Sequence, residues 1–569
     1  MSATVSPPAP RLPILALCLL FVGSLLCFGL TAHGYLENTD TEITMHAARA
    51  WWLRGSPGLV GRAEAEQLTE DVPTWPAEQA IVDGYIRDPN LPRYGRIGLD
   101  GRGYVWFPIG HQALMVPGIA LAQVLDRTFP DVERRFRAQK DDPIRGQFFW
   151  ERFVLSFLSP LCAAASLIAL VLLCLGLGAP PSAALIASMT ATFATQFWPG
   201  TAETMSDMPG TFFLLAPAAL VAWYARGAAV DALLWAGFLG GIGVLCRYPQ
   251  ALPLVGIGAW ALWSAIARRR ILDAAWFVIG GLVPAALLLY ANLWRFGDPA
   301  ETGYSGGVGF FSYPLHWGLP MILIAFGKGV LWFSIPLWLA FAQLGRSEVR
   351  RHAASWFALV TLVAPLPLYA TLHYWAAGQC WGIRYLTGVV VLFVAVALAI
   401  GRPWERRPLL FWSTTALGFV LSAGGLVTSY TGHQTFAYPA AQVRWDADPS
   451  TLNDNVNFDP MFSPLHGHWT YAWLASEDRI ATKQSKDTTE PLFGVAMPDA
   501  KVPRPRREDT GFRHVFWRYL EDIIPGVPFG PLAAVLAAAA VACLVAGGAL
   551  LVARTPTRAG AIPSEGAVR

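Results

Sequence analysis

The chain has 569 residues, of which 54% are hydrophobic and only 14% are charged, and its formal net charge is +3. A soluble protein is about one-quarter charged, so this composition excludes an ordinary soluble globular protein and indicates a polytopic membrane protein. The basic residues are scattered over short loops rather than gathered on one patch, so we expect no nucleic-acid partner.

Apolar runs recur along the chain at about the 20 residues that a bilayer crossing requires. The first run lacks a small-x-small cleavage site, so we interpret it as a retained helix rather than a signal peptide. Six of the seven cysteines lie inside such runs, which argues against a disulfide framework or a cysteine metal site. We predict about twelve spans: Leu12–Leu30, Phe153–Leu175, Ala183–Trp198, Thr211–Tyr224, Ala232–Cys246, Leu252–Ala267, Ala274–Leu293, Val330–Leu344, Trp356–Tyr374, Leu386–Ile400, Leu409–Val427 and Pro531–Val552.

The segment Phe107–Leu125 is also apolar but is interrupted by prolines and glycines. Arginine clusters at 268–270, 346–351 and 402–407 belong in the cytoplasm by the positive-inside rule, and twelve spans with both termini inside place them there. Counting 107–125 as a crossing would move all three outside, so we predict an interfacial helix. The arginine-rich segment 126–145 that follows favours the opposite placement, and this alternative stays open.

This topology divides the chain into three parts. Residues 1–428 form a transmembrane module that includes a long first outer loop, 31–152. Residues 429–528 form a polar outer loop with turn signals, which we expect to pack as a small lid. Residues 529–569 contain the last helix and a cytoplasmic tail. The outer face carries the longer loops, so we expect the chemistry there.

Acidic residues follow the first span in "ENTDTEITMHAARAWWLRG". We expect Glu37 and Glu42 to be solvated interface charges. Asp40 is the stronger candidate, because Glu203 and Asp207 lie in a very short loop on the same face. Two carboxylate centres held at one boundary are typical of sites that bind an acceptor hydroxyl or a divalent ion.

Basic residues occupy the same face, namely Arg247, Lys328 and Arg384. At this level they are placed to bind a lipid phosphate group, although interfacial arginines also snorkel to water without any function. Most tryptophans, including Trp51, Trp52 and Trp375, are expected in interfacial belts. We expect Trp381, beside Arg384, to be an exception, and Tyr304 to be suited to stacking on a sugar.

The order of these segments resembles the GT-C superfamily of polyprenyl-phosphate-sugar-dependent glycosyltransferases, in particular the bacterial relatives of the protein mannosyltransferases and the aminoarabinose transferases. The matching segments are "TDTEITMHAARAWWLRG", "DGRGYVWFPIGHQALMVPGIALA", "TAETMSDMP", "RFGDPAETGY", "FGKGVLWFSIP" and "WAAGQCWGIRYL". The resemblance implies an all-α bundle with interfacial helices in the first outer loop. It also implies Asp40 as catalytic base, assisted by Glu203 or Asp207, with Arg247, Lys328 and Arg384 facing the donor phosphate.

Two departures from the family concern the site. The aminoarabinose transferases have a lysine before paired prolines, where this chain has "WFPIGH". His111 lies nearby as a partial substitute, and its alternative is a capping or packing role. The second loop has no DxD motif, so neither a metal nor another cofactor is indicated.

The expected function is therefore an inverting sugar transfer from a polyprenyl-phosphate donor to an acceptor hydroxyl, at the outer side of a bacterial inner membrane. The sequence identifies neither the sugar nor the acceptor, which belongs to a protein, a lipid or a glycan. A polysaccharide polymerase or ligase is an alternative, because Arg504, Arg506 and Arg507 give the second loop the arginines typical of that class. A flippase would need ionisable residues deep in the spans or an internal repeat, and the sequence indicates neither.

Overall fold

The structure is a computed structural model that describes residues 13–62, 76–87, 94–138, 144–304, 310–445, 449–476, 490, 492–495 and 515–554. These residues are overwhelmingly helical, which agrees with the predicted all-α class. Eight helical segments are long and apolar enough to cross a membrane: Phe149–Gly176, Asp207–Ala225, Tyr248–Ala267, Ile271–Phe296, Ala353–Ala370, Arg384–Gly401, Pro408–Val427 and Gly530–Arg554. Four apolar helices are shorter: Ile14–Leu30, Pro181–Phe193, Asp231–Cys246 and Leu315–Ile324.

The predicted span Val330–Leu344 is not one continuous helix. It consists of two short helices, Val330–Phe333 and Pro336–Gln343. Pro336 lacks the backbone N–H that would bond the carbonyl four residues earlier, and its ring clashes with that carbonyl, which explains the break at Ser334. The preceding apolar helix Leu315–Ile324 was absent from the predicted spans, because its ten residues are fewer than a crossing requires.

The segment predicted as the first outer loop is built on helices that pack beside the bundle. Its described elements are helices Thr39–Arg54, Pro76–Ile81, Val82–Arg87, Ile109–Thr128 and Pro130–Ala138, with antiparallel strands Gly95–Ile97 and Gly103–Val105. Helix Ile109–Thr128 corresponds to the predicted interfacial segment and packs against helix Thr39–Arg54 and against Phe149–Leu155. Gly110 allows its first turn to approach Leu245, because an added Cβ would lie 2.6 Å from the Leu245 carbonyl.

A fully buried helix, Thr387–Gly401, forms the centre of the bundle. Its sequence TGVVVLFVAVALAIG is apolar on every side, as expected for a helix surrounded by other helices. Its neighbours include helices Pro181–Phe193, Asp207–Ala225, Pro336–Gln343 and Ala353–Val363. The 3-10 turn Arg384–Leu386 precedes it directly, so this central helix fixes the position of Arg384.

The region predicted as a lid begins with helices of its own, Tyr430–Trp445, Pro449–Phe458 and Pro464–Ser476. They share a small apolar core that includes Phe436, Phe462 and Tyr471. Trp375 is fully buried and donates its indole N–H to Asp454 of this region at 2.9 Å. The prediction of Trp375 as an interfacial belt residue is therefore wrong. Arg504, Arg506 and Arg507 lie outside the described residues.

The remaining described elements are short or terminal. They are helices Phe197–Gly200, Ser347–Arg351, Pro403–Arg406 and Phe516–Ile523, and the 3-10 turns Tyr248–Gln250, Ile271–Asp273 and Pro460–Phe462. The first helix packs against the last one. Gly23 and Gly547 are needed there, because a Cβ on either would lie within 3 Å of backbone in the facing helix, and small residues permit such close contact in membranes.

Candidate active site

Two acids and two arginines from four separate segments meet at one end of the bundle. Asp40 lies in the first turn of helix Thr39–Arg54, which Asn38 caps by accepting the Asp40 backbone N–H at 2.8 Å. Asp207 begins helix Asp207–Ala225, Arg247 follows helix Asp231–Cys246, and Arg384 precedes the central helix. Ends of several apolar helices therefore bring these charges together.

The four groups form a row of alternating charge. Arg384 Nη2 lies 3.4 Å from Asp40 Oδ2, and its Nη1 lies 3.5 Å from Asp207 Oδ2. Arg247 Nη1 donates to the other oxygen of Asp207. The Asp40 side chain is 27% exposed, whereas that of Asp207 is 7% exposed. Asp40 is therefore the acid that a substrate can reach.

The groups around Asp40 have opposite effects on the pKa of its carboxyl group. Burial raises the pKa of its carboxyl group and the Asp207 charge adds to the rise, while the Arg384 guanidinium opposes it. Together, these effects raise the pKa of Asp40 above its ordinary value. A carboxylate with a raised pKa is a stronger base than an ordinary aspartate while it stays ionised near neutral pH.

Tyr369 and Tyr385 support the two arginines and were missed in the sequence. The Tyr385 ring lies 5.0 Å from the Arg247 guanidinium and 5.4 Å from that of Arg384, distances typical of cation–π contacts. Tyr369 stacks on Tyr385 at 4.7 Å, and the charge of Arg247 acts on its hydroxyl group. The position of Tyr385 directly after Arg384 was a usable signal, but nothing in the sequence pointed to Tyr369.

Glu203 is buried beside this row rather than inside it. Its Oε1 accepts the backbone N–H of Trp381 at 3.1 Å. Burial raises the pKa of Glu203 to about 8, and the nearby Glu37 charge adds to the rise. Trp381 is only 2% exposed and packs edge-on against Phe333 and His468. Its indole is therefore packed inside the protein, and contact between Trp381 and a substrate stays a prediction.

Lys328 supports the loop that precedes Arg384. It is fully buried, and its Nζ donates to the carbonyls of Gly378, at 2.8 Å, and of Cys380. The ammonium also lies 4.2 Å from the centre of the Tyr430 ring. These contacts hold the chain between residues 378 and 380 in place. Contact between Lys328 and a donor phosphate stays a prediction.

His111 and Tyr304 lie around the same centre. His111 is 3% exposed, burial lowers its pKa to about 4, and the charge of the nearby Asp207 opposes this fall. It is therefore neutral at pH 7. The Tyr304 ring stacks on Trp106 at 4.9 Å with an 8° interplanar angle. Trp106 in turn lies 5.2 Å from Tyr94.

Tyr94, Trp106 and Tyr304 are here called the aromatic cluster, and the charge of Asp40 acts on both of its tyrosines. Burial raises the pKa of Tyr94 to about 12, and the Asp40 charge adds to this rise. The Asp40 charge likewise contributes to the raised pKa of Tyr304. Flat apolar rings beside a reachable carboxylate are suited to the apolar face of a sugar ring.

Glu37 and Glu42 are buried, so the prediction that both are solvated is wrong. Glu37 accepts from Ser429 Oγ at 2.7 Å and lies 3.2 Å from His33 Nδ1. Glu42 forms a buried ion pair with Arg152, at the start of the next candidate span. Glu42 links helix Thr39–Arg54, and Glu37 links the segment just before this helix, to parts of the chain that are distant in sequence. These links fix the position of Asp40.

We expect Glu42→Gln to destabilise the protein by about 3–5 kcal/mol, because it leaves the Arg152 charge buried without its partner. Glu405→Gln is the matched control, since Glu405 pairs with Arg402 at an exposed position and exposed pairs contribute about 1 kcal/mol or less. Thermal unfolding in detergent measures both. Equal unfolding midpoints for the two variants would contradict this role of Glu42.

Glu203 is expected to make stability depend on pH. Its pKa is about 8 in the folded protein, against the ordinary value of 4.5. The folded chain thus keeps a proton that the unfolded chain loses, and this stabilisation is complete below pH 4.5 and lost as pH rises to about 8. Glu203→Gln should remove this part of the pH dependence. The test compares the unfolding midpoints of wild type and variant at about pH 5 and about pH 9. If both midpoints change by the same amount between these pH values, the prediction is refuted.

Within the described ranges, no group of three or more His, Cys, Asp or Glu side chains is placed to hold a metal ion. The Arg384 guanidinium contacts both Asp40 and Asp207. The arrangement that these residues offer is thus suited to an anion beside the two arginines and a proton acceptor at Asp40.

Comparison with known proteins gives one structural likeness. No known family model matches the chain, and no curated protein matches it. Among solved structures, it is similar to the crystal structure of ArnT from Cupriavidus metallidurans in the apo state. The two share 14% sequence identity with a TM-score of 0.40, over 95% of this chain and 76% of that one. Likeness at this level carries no argument about function, which must come from the geometry of the site itself.

Proposed function

We propose that this protein is a GT-C-type glycosyltransferase that moves a sugar from a polyprenyl-phosphate donor to an acceptor hydroxyl at the outer boundary of a bacterial inner membrane. One observation carries the proposal. Asp40 and Arg384, which are 344 residues apart in sequence, lie in contact at the ends of apolar helices, with Asp207 and Arg247 completing the row.

The reaction needs a proton acceptor and a site for the leaving phosphate. The acceptor oxygen forms a bond to the anomeric carbon, and the bond from that carbon to the phosphate oxygen breaks. The hydroxyl proton goes to Asp40. The electron pair of the broken bond stays on the phosphate, whose charge Arg384 and Arg247 neutralise. A single displacement of this kind inverts the anomeric centre.

The charge balance of the site favours an anionic donor. Arg247 and Arg384 share one acid, Asp207, so a positive charge remains once Arg384 turns from Asp40 to a phosphate. That exchange also frees the Asp40 carboxylate to accept a proton. Guanidinium groups suit this role because they present fixed, paired donors to phosphate oxygens.

The aromatic cluster provides the wall against which the sugar lies. The charge of Asp40 contributes to the raised pKa of both Tyr94 and Tyr304, which places the two rings on its side of the site. His111, buried beside Asp207 and Arg247, shapes the same side. Glu203 and Lys328 act indirectly, by holding the chain around Trp381 and Cys380 that leads to Arg384.

The acceptor enters beside the start of the region predicted as a lid, whose described helices run from Tyr430 to Ser476. Tyr430 contacts Lys328, and Ser429 and Thr431 donate hydrogen bonds to Glu37. The start of the lid therefore touches both segments that carry the reacting charges, the approach to Asp40 and the loop before Arg384. The polyprenyl chain lies in lipid between helices.

Purified full-length protein in lipid nanodiscs, incubated with synthetic polyprenyl-linked sugars and cell-envelope acceptors, tests the proposal. We expect release of polyprenyl monophosphate and an inverted anomeric centre in the product, read by mass spectrometry and NMR. Use of polyprenyl-diphosphate donors alone would indicate a polymerase or ligase instead. Donor movement across vesicles without transfer would indicate a flippase.

A further inference from the structure

A polar cleft lies at the opposite end of the bundle from the candidate active site. The central helix Thr387–Gly401 separates the two; its 15 residues span about 22 Å. The cleft has a volume of about 470 Å³ and lies between helix Pro336–Gln343, the segment that follows it and the start of helix Pro408–Val427. This volume falls in the range of about 300–1,000 Å³ that small-molecule sites have.

Basic side chains dominate the polar lining of this cleft. Arg346, Arg406 and Arg407 line it, against a single acid, Glu348. Glu348 pairs with Arg406 at 3.1 Å. Among the described residues, neither Arg346 nor Arg407 forms an ion pair of its own, although the Arg346 charge also acts on Glu348, so three guanidinium groups face one carboxylate. Two guanidinium groups are thus available for an anion.

The other lining is apolar and continues towards lipid. Leu339 and Phe411 are buried in the cleft wall, while Leu410 is 49% exposed. Helix Pro408–Val427, which carries Leu410, buries little of its apolar surface inside the protein. A ligand in the cleft therefore meets cations at its polar end and an open hydrocarbon face beside it.

Gln343 adds a neutral polar group to the same cleft. It is 5% exposed, its Nε2 donates to the Leu339 carbonyl, and its Oε1 has no hydrogen-bond partner among the residues that the structure describes. A buried acceptor without a partner costs free energy unless a bound molecule supplies a donor.

We propose that this cleft binds a phospholipid with an anionic head group, with the phosphate between Arg346 and Arg407 and the acyl chains along the Leu410 face. Basic pockets between membrane helices bind such head groups, and each arginine near the surface contributes to the attraction. The cleft holds a structural lipid and is separate from the donor site, so its occupancy does not depend on sugar transfer.

Native mass spectrometry of the full-length protein, titrated with dioleoyl phosphatidylglycerol or dioleoyl phosphatidylcholine, tests this. We expect wild type to retain phosphatidylglycerol preferentially, and Arg346→Gln with Arg407→Gln to lower its retention about tenfold or more. Arg350→Gln with Arg351→Gln is the matched control, because it removes the same amount of charge close to Arg346 but outside the cleft lining. Equal loss in both double variants, or equal retention of the two lipids, would overturn the proposal.

Two further measurements separate the remaining outcomes. Displacement of bound phosphatidylglycerol by inorganic phosphate would assign the cleft to free phosphate and overturn the lipid assignment. Ala342→Trp fills the cleft from its exposed side without changing charge, and it should lower phosphatidylglycerol retention as the double variant does. If the double variant does not fold, unchanged retention in Ala342→Trp is enough to refute the proposal.

Discussion

Asp40→Asn is expected to lower the rate of sugar transfer by about 10²–10⁴-fold, the usual contribution of a general base. The change removes the proton acceptor but leaves the helix start intact, because the Asn38 cap binds the Asp40 backbone N–H and not its side chain. The Arg384 guanidinium keeps Asp207 as a partner. The rate of polyprenyl phosphate release under saturating donor measures the effect.

The pH dependence of the same variant identifies the role more directly. Burial raises the pKa of Asp40, so wild-type kcat/KM should fall as pH drops through a value above the ordinary aspartate range, where the carboxylate becomes protonated. The Asp40→Asn variant should lose this fall of kcat/KM at low pH, here called the acidic limb. Asp298→Asn, at an exposed position, is the control and should retain it. A variant at position 40 with a normal rate and an unchanged profile would remove Asp40 from catalysis.

Arg384→Gln is expected to lower kcat/KM for the donor by about 10²–10³-fold, the scale seen when one preorganised donor to a developing anion is removed. Arg384→Lys should recover only part of this, since an ammonium group keeps the charge but cannot contact Asp40 and Asp207 from two sides. Arg350→Lys, at an exposed position in the opposite arginine cluster, serves as control.

The Arg384 variants should also shift the pH profile, which a purely structural residue would not do. Arg384 lowers the pKa of Asp40, while the like charge of Asp207 raises it. Removing the cation should therefore raise the pKa of Asp40 further and move the acidic limb of kcat/KM to higher pH. If a folded Arg384 variant loses activity but its kcat/KM falls at the same pH as that of the wild type, Arg384 and Asp40 are not electrostatically coupled. Thermal unfolding separates these outcomes from misfolding.

The candidate site was predictable to the extent that hydropathy places residues along the membrane normal. An apolar span forces the residues at its ends to one of two boundaries, so Asp40, Asp207, Arg247 and Arg384 were expected at one face before any contact was known. The spacing of spans does not determine which side chains then touch. Glu203 belongs to the same loop as Asp207 but bonds a backbone N–H.

The wrong predictions about Glu42 and Trp375 share one cause, since each residue has a partner that lies far away in sequence. Glu42 is paired with Arg152, and Trp375 donates to Asp454, which no local pattern around either residue reveals. From sequence alone, a charged or amphipathic side chain near the end of a span is predicted to lie at the membrane interface. Such a side chain is buried instead only when a specific partner satisfies its charge or its hydrogen-bonding atoms.

The sequence by itself determined that this is an all-α, polytopic membrane protein, because bilayer crossing demands apolar helices of defined length. It also determined which charged residues share a boundary, since hydropathy assigns depth. Only the tertiary structure decided the lateral order of the helices, and with it the contacts from Asp40 to Arg384 and from Arg384 to Asp207. Packing between helices depends on complementary side-chain shapes and small residues such as Gly23 and Gly110. A one-dimensional hydropathy pattern does not encode those neighbours.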